Sequence, residues 1–114
     1  MMIDIKEAQL DGAYKLIVAG EVDASSSIHL DNALSKALGE YKRILIDLSD
    51  LEYISSAGLG VFISYIDEIR AQGIELVLFG LKEKVQQVFQ ILGIHDLLTI
   101  EETEADALKH LNDA

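Results

Sequence analysis

The chain of 114 residues contains no cysteine, which excludes disulfides and thiolate metal sites. It also lacks a long hydrophobic run. The longest weakly polar stretch, Ala57 to Ile66, is far shorter than the roughly 20 residues a membrane helix requires, and it includes Ser64. No membrane span is predicted. Basic residues are scarce, nine against twenty acidic, and a net charge of −11 repels nucleic acid phosphates and anionic lipid surfaces alike. Nucleic acid and membrane are therefore not expected partners, and a charged partner should present a basic face. Met1 to Ala8 carries acids where a secretory signal needs basic and then apolar residues, so a cytoplasmic protein is expected.

What is present suits one domain over residues 1–114. Half of the residues are hydrophobic, enough to bury a core without staples. Strand-like runs alternate with helix-like ones, with no linker or repeat between them, as in an α/β domain. Ile3 to Ala8 and Tyr14 to Ala19 flank the turn signal Leu10-Asp11-Gly12-Ala13, which predicts an antiparallel hairpin centred on Asp11-Gly12. Arg43 to Leu48 and Ile74 to Phe79 are nearly continuous in Ile, Leu and Val, as central strands covered on both faces should be. Leu97 to Ile100 is a short edge-strand candidate.

The first helix is predicted over about Ser25 to Leu38, from Leu30, Leu34, Ala37, Leu38 and Tyr41, with Gly39 closing it. The second carries the stripe Leu59, Phe62, Ile63, Ile66 and Ile69 and ends at Gly73. The third carries Val85, Val88, Phe89 and Leu92 and ends at Gly93. A fourth, roughly Thr103 to Leu111, has Thr103 as N-cap and should bury Ala105, Leu108 and Leu111.

Enzyme motifs fail on spacing. A hydrolase elbow needs glycine two residues before its serine, and Ser56 has Ile54 there. Gly58-Leu59-Gly60 would need a third glycine at Ile63 to bind a dinucleotide, and no lysine follows to make a phosphate loop. His29, His95 and His110 show no ligand spacing and read as surface or capping residues. Asp47, Asp50 and Glu52 read as a solvated strand end in an acidic chain. No metal and no cofactor is expected.

The stretch Tyr53 to Gly60, YISSAGLG, opens the second helix with two serines and two glycines. Each glycine inside a helix costs roughly 1 kcal/mol relative to alanine, so packing or function must offset Gly58 and Gly60. A serine at this place commonly caps the helix, which is worth roughly 1 kcal/mol. Three features point further. Ala57, Gly58 and Gly60 leave the backbone open, free N–H groups at a helix start favour an anion, and acidic residues crowd nearby. A phosphate there would be both held and conspicuous.

These residues resemble the STAS-domain anti-sigma factor antagonists of bacteria, over essentially the whole chain. The resemblance rests on Gly20-Glu21-Val22-Asp23 after the second strand and on Ile54-Ser55-Ser56-Ala57-Gly58-Leu59-Gly60 after Leu48-Ser49-Asp50-Leu51. It implies an α/β STAS-type domain: a mixed, mostly parallel sheet of four to five strands with an N-terminal antiparallel hairpin, packed by about four helices. It also implies a binding switch rather than an enzyme. In the family the serine two before the first glycine of the Gly-Leu-Gly element is phosphorylated by the anti-sigma factor, a GHKL-type serine kinase, and a PPM-type serine phosphatase resets it. That serine is Ser56 here. Many members have aspartate just before the acceptor, where this chain has Ser55. Asp23 matches a family aspartate near the acceptor and equally reads as a cap on the first helix. With Ser55, Ala57, Gly58 and Gly60 it completes the expected partner-binding set. The rival implication is an unphosphorylated STAS domain serving as a scaffold or a small-ligand or lipid-pathway module, with the two serines merely capping.

Overall fold

Alternation builds the first sheet pair. In the computed structural model, which describes residues 3–10 and 12–113, strands β1 (Ile3–Leu10) and β2 (Ala13–Val22) run antiparallel from Ile3↔Gly20 to Leu10↔Ala13. Along β2, Tyr14, Leu16, Val18 and Val22 point into the core. The expected turn centre is half visible: Gly12 has φ +78°, a conformation glycine adopts without strain, while Asp11 lies outside the described residues.

The two apolar runs form adjacent central strands, β3 (Arg43–Asp47) and β5 (Glu75–Phe79), paired in parallel from Arg43↔Glu75 to Asp47↔Phe79. The short β6 (Thr99–Glu101) adds in parallel to β5 and gives the order β1-β2-β3-β5-β6. One strand exceeds the sequence reading. The four-residue β4 (Leu51–Ile54) pairs in parallel with the end of β2, from Gly20↔Leu51 to Val22↔Ile54 across a register shift between Gly20 and Glu21. Only Leu51 and Ile54 of it are buried, so it carries no alternation to read.

The helices are α1 (Ser27–Glu40), α2 (Ser56–Ser64), α3 (Ile66–Ala71), α4 (Glu83–Ile91) and α5 (Glu104–Asp113). The predicted second helix is thus divided at Tyr65, whose N–H donates to Phe62 O at 3.2 Å in a tightened turn. The Tyr65 hydroxyl meets the Asp31 carboxylate of α1, and that bond raises the Tyr65 pKa. One core, against α1, α2 and α4, includes Leu30, Leu34, Leu59, Phe62 and Phe89. A smaller one on the opposite face joins Leu45, Val77 and Phe79 to Ala107 and Leu111 of α5.

Four expectations need correction. The first helix does not end at Gly39, which has no positive φ; it runs to Glu40, with the Tyr41 N–H bonded to Ala37 O at 2.9 Å. Tyr41 is held there by its stack on Tyr14, with ring centroids 4.1 Å apart. In α5, Ala105 is exposed and Ala107 takes the buried place, one turn from Leu111. Ile63 and Leu92 sit at the rims of their stripes, 43% and 51% exposed. The glycine stops at Gly73 (φ +64°) and Gly93 (φ +71°) and the Thr103 cap, whose Oγ1 accepts the Asp106 N–H at 3.1 Å, stand as expected.

Candidate functional site

β2 and β4 end side by side, with Val22 opposite Ile54, and each chain turns straight into a helix. The Ser55 N–H donates to Val22 O at 2.8 Å, so the starts of α1 and α2 are fixed to one another by backbone. Gly20, at φ +90°, makes this possible: its N–H bonds Asp50 O at 3.0 Å as β2 turns from β3 towards β4.

On the α1 side, Asp23 Oδ1 gathers the turn. It accepts the Ser25 hydroxyl at 2.7 Å, the Ser26 N–H at 2.9 Å, and the Ser25 N–H and Ser26 hydroxyl at 3.0 Å each. The Asp23 carbonyl accepts the Ser27 N–H at 2.9 Å. These bonds, the Ser25 hydroxyl foremost and then the Ser26 amide and hydroxyl, hold the carboxyl down to about 2. Asp23 therefore carries a negative charge that closes the turn leading into α1, while Ser26 holds the N-cap position with no side-chain cap bond. The sequence signal for this was available in Asp23-Ala24-Ser25-Ser26, an aspartate followed at two and three residues by serines.

On the α2 side the two serines divide their work. Ser55 is half-buried and extended (φ −84°, ψ 171°), and its Oγ accepts the Gly58 N–H at 3.3 Å as an N-cap. Ser56 is the first helical residue and is exposed. Helix geometry leaves the N–H groups of Ser56 and Ala57 without intrahelical acceptors, so the open end of α2 faces outward beside Ser56. Ser56, Gly60 and Ile63 follow one another on the exposed side of the helix at spacings of four and three.

The glycines divide as well. A Cβ on Gly58 would lie 2.7 Å from Ile54 Cγ1 and 2.8 Å from Val22 Cγ1, both buried side chains at the strand ends. Packing alone therefore requires Gly58 to be bare, because α2 sits directly on β2 and β4 at this point. Gly60 is exposed and a Cβ there would meet nothing within 4 Å; Ala57 is exposed too. Two apolar residues near the site escaped the sequence reading as surface features: Ile28, in the first turn of α1, is 59% exposed, and Ile63 was assigned to the core stripe.

The acidic triplet is not gathered. Asp47 accepts the Ser49 N–H and hydroxyl at 2.9 and 2.6 Å, while Glu52 bridges Lys84 and Lys82 at 3.1 and 3.2 Å, which lowers its pKa. Among the described residues no group of three or more His, Cys, Asp or Glu is placed to hold a metal, and no helix is long and apolar enough to cross a membrane.

Comparison with known proteins gives a consistent answer. The family profile of the STAS domain matches residues 4–107. An anti-sigma-B factor antagonist of Listeria monocytogenes is 36% identical over 105 residues, which cover 91% of each chain. Among solved structures, an anti-sigma factor antagonist from Mycobacterium paratuberculosis superimposes with a TM-score of 0.90 at 20% identity, covering 98% of this chain and 96% of its own. The Bacillus cell fate determinant SpoIIAA in its phosphorylated form gives 0.69 at 19% identity, covering 94% and 98%. At these identities the two structures establish likeness of fold.

Proposed function

The chain belongs to the STAS-domain family, and from that premise we propose that it is an anti-sigma factor antagonist whose binding is switched by phosphorylation of Ser56. The observation that carries the choice of residue is the division of labour at the start of α2: Ser55 is spent on the cap, and Ser56 is exposed. In this reading the protein is a cytoplasmic binding switch and not a catalyst. Its partner is an anti-sigma factor that is itself a GHKL-type serine kinase, and a PPM-type serine phosphatase removes the phosphoryl group.

The physics of the switch is local. Unmodified, the face of Ser56, Ala57 and Gly60 is small and uncharged, so a partner surface can lie close to it. A phosphoryl group adds roughly two negative charges and three acceptor oxygens at that point. Within the protein the addition is tolerated, because an anion at a helix N-terminus is stabilised by about 0.3–1 kcal/mol. Across an interface it sets a strongly hydrated dianion, beside the permanently charged Asp23, against whatever contacted the bare face. Desolvation and like-charge repulsion then favour release without a backbone rearrangement.

The test is phosphoryl transfer from ATP by the cognate kinase, read as intact mass. Wild type and Ser55→Ala should gain one phosphate and Ser56→Ala none. Undiminished modification of Ser56→Ala refutes the assignment.

A further inference from the structure

The strand path β1-β2-β3-β5-β6 has two end strands, and they are built differently. β6 is three residues long and runs into Glu101 and Glu102, a short acidic edge of the kind that discourages pairing. β1 is eight residues long, with an unbroken register and no bulge, in a chain without proline. Ile3 and Ile5 lie half-buried beside a groove that His29 and Ala33 of α1 also line. The charges along this edge cancel: Asp4 lies 3.8 Å from Lys6, and Glu7 lies 3.8 Å from Lys36. In a chain of net charge −11, β1 is thus a neutral strip.

We propose that the β1 edge pairs antiparallel with β1 of a second copy, about a two-fold axis through Ile5, to give one sheet continuous through both. A two-fold axis perpendicular to the sheet keeps the same face uppermost in both copies, so one residue must lie opposite itself on the axis. That condition restricts the register sharply. Centring on Asp4, Lys6 or Glu7 sets identical charges against each other, and centring on Ala8 forms no charge pair. Centring on Ile5 places each Asp4 opposite Lys6 of the other copy, twice over, and Ile5 against Ile5. Both α1 helices then flank the axis on one face and close the groove from either side. The charges on β1 that oppose the registers centred on Asp4, Lys6 and Glu7 are the ones that favour this one. This pairing requires nothing of Ser56.

Sedimentation velocity on the full chain, up to about 1 mM at low salt, tests it. A reversible dimer is expected. Lys6→Glu should weaken it by about tenfold or more, since two attractive pairs become repulsive. Asp4→Lys combined with Lys6→Asp should restore it. Both side chains are more than 60% exposed, so these variants keep the fold. With no native cysteine, oxidised Ile5→Cys should form a disulfide-linked dimer, and Gln9→Cys, which does not face itself in this register, should not. A monomer throughout the concentration range, a dimer indifferent to Lys6→Glu, or equal cross-linking at both cysteines overturns the proposal and leaves the edge for a different chain.

Discussion

Replacing Gly58 and, separately, Gly60 by alanine separates two causes that the sequence presents together. Both positions lie in the first two turns of α2, so both variants gain the same helix propensity, up to about 1 kcal/mol. They differ in what the new methyl meets. At Gly60 a Cβ finds nothing within 4 Å, and the variant should be stabilised by the full propensity gain. At Gly58 the Cβ arrives 2.7 Å from Ile54 and 2.8 Å from Val22, well inside normal contact, and both neighbours are β-branched and buried at strand ends that pair with each other. Such overpacking costs about 1–3 kcal/mol. The propensity gain is common to both variants, so Gly58→Ala should be less stable than Gly60→Ala by the full overpacking cost, about 1–3 kcal/mol. Urea unfolding of the pair, compared at equal m-value, measures that difference with the propensity term cancelled. Equal stabilities, or Gly58→Ala the more stable, would refute the packing account of the bare helix start.

Ser55→Ala should lose about 1 kcal/mol of stability with its N-cap while leaving Ser56 modifiable, which denaturation and intact mass check on one sample. Ser56→Glu should bind the anti-sigma partner more weakly than wild type with thermal stability unchanged or slightly raised, since a carboxylate at a helix start is tolerated; titration calorimetry showing wild-type affinity would remove repulsion as the switch. Asp23 has a folded pKa near 2, below its ordinary 3.8. Its contribution to stability is therefore complete above the ordinary value and lost as pH falls towards 2. Unfolding free energies between pH 5 and 2 should fall less steeply in Asp23→Asn than in wild type, and identical slopes would contradict the hydrogen-bond account.

The parts of the fold that were legible are those whose own residues declare their surroundings. Leu45 and Val77 are enclosed on one face while Ile44, Ile46, Leu76 and Leu78 are enclosed on the other, so unbroken apolar runs marked the central strands. Gly73 and Gly93 announced helix ends because each takes a left-handed backbone; Gly39 looked the same in sequence but stays helical, since Tyr41 beyond it is anchored by Tyr14. β4 was invisible because it exists through pairing with a distant segment, the last residues of β2 from Gly20 onward. At the site, the residue types at the start of α2 were readable, but their orientation was not. Whether Gly58 or Gly60 faces the sheet depends on how α2 is seated, and Val22, the neighbour of Asp23, is joined to Ser55 by a backbone bond between residues more than thirty apart in sequence.

Because the Ser55 amide is bonded to the Val22 carbonyl, the two helix starts share a hinge-free seam in the sheet rather than standing as separate loops. Fraying at the start of α2 would cost this bond to the end of β2, so the two segments are expected to open together. The amide of Ser55 is the natural reporter: its hydrogen exchange should be far slower than that of exposed Ser56 and should track the opening of the β2–β4 pair. In the proposed switch, a phosphoryl group on Ser56 would stand on a helix start tied by backbone to the end of β2, rather than on a separate loop.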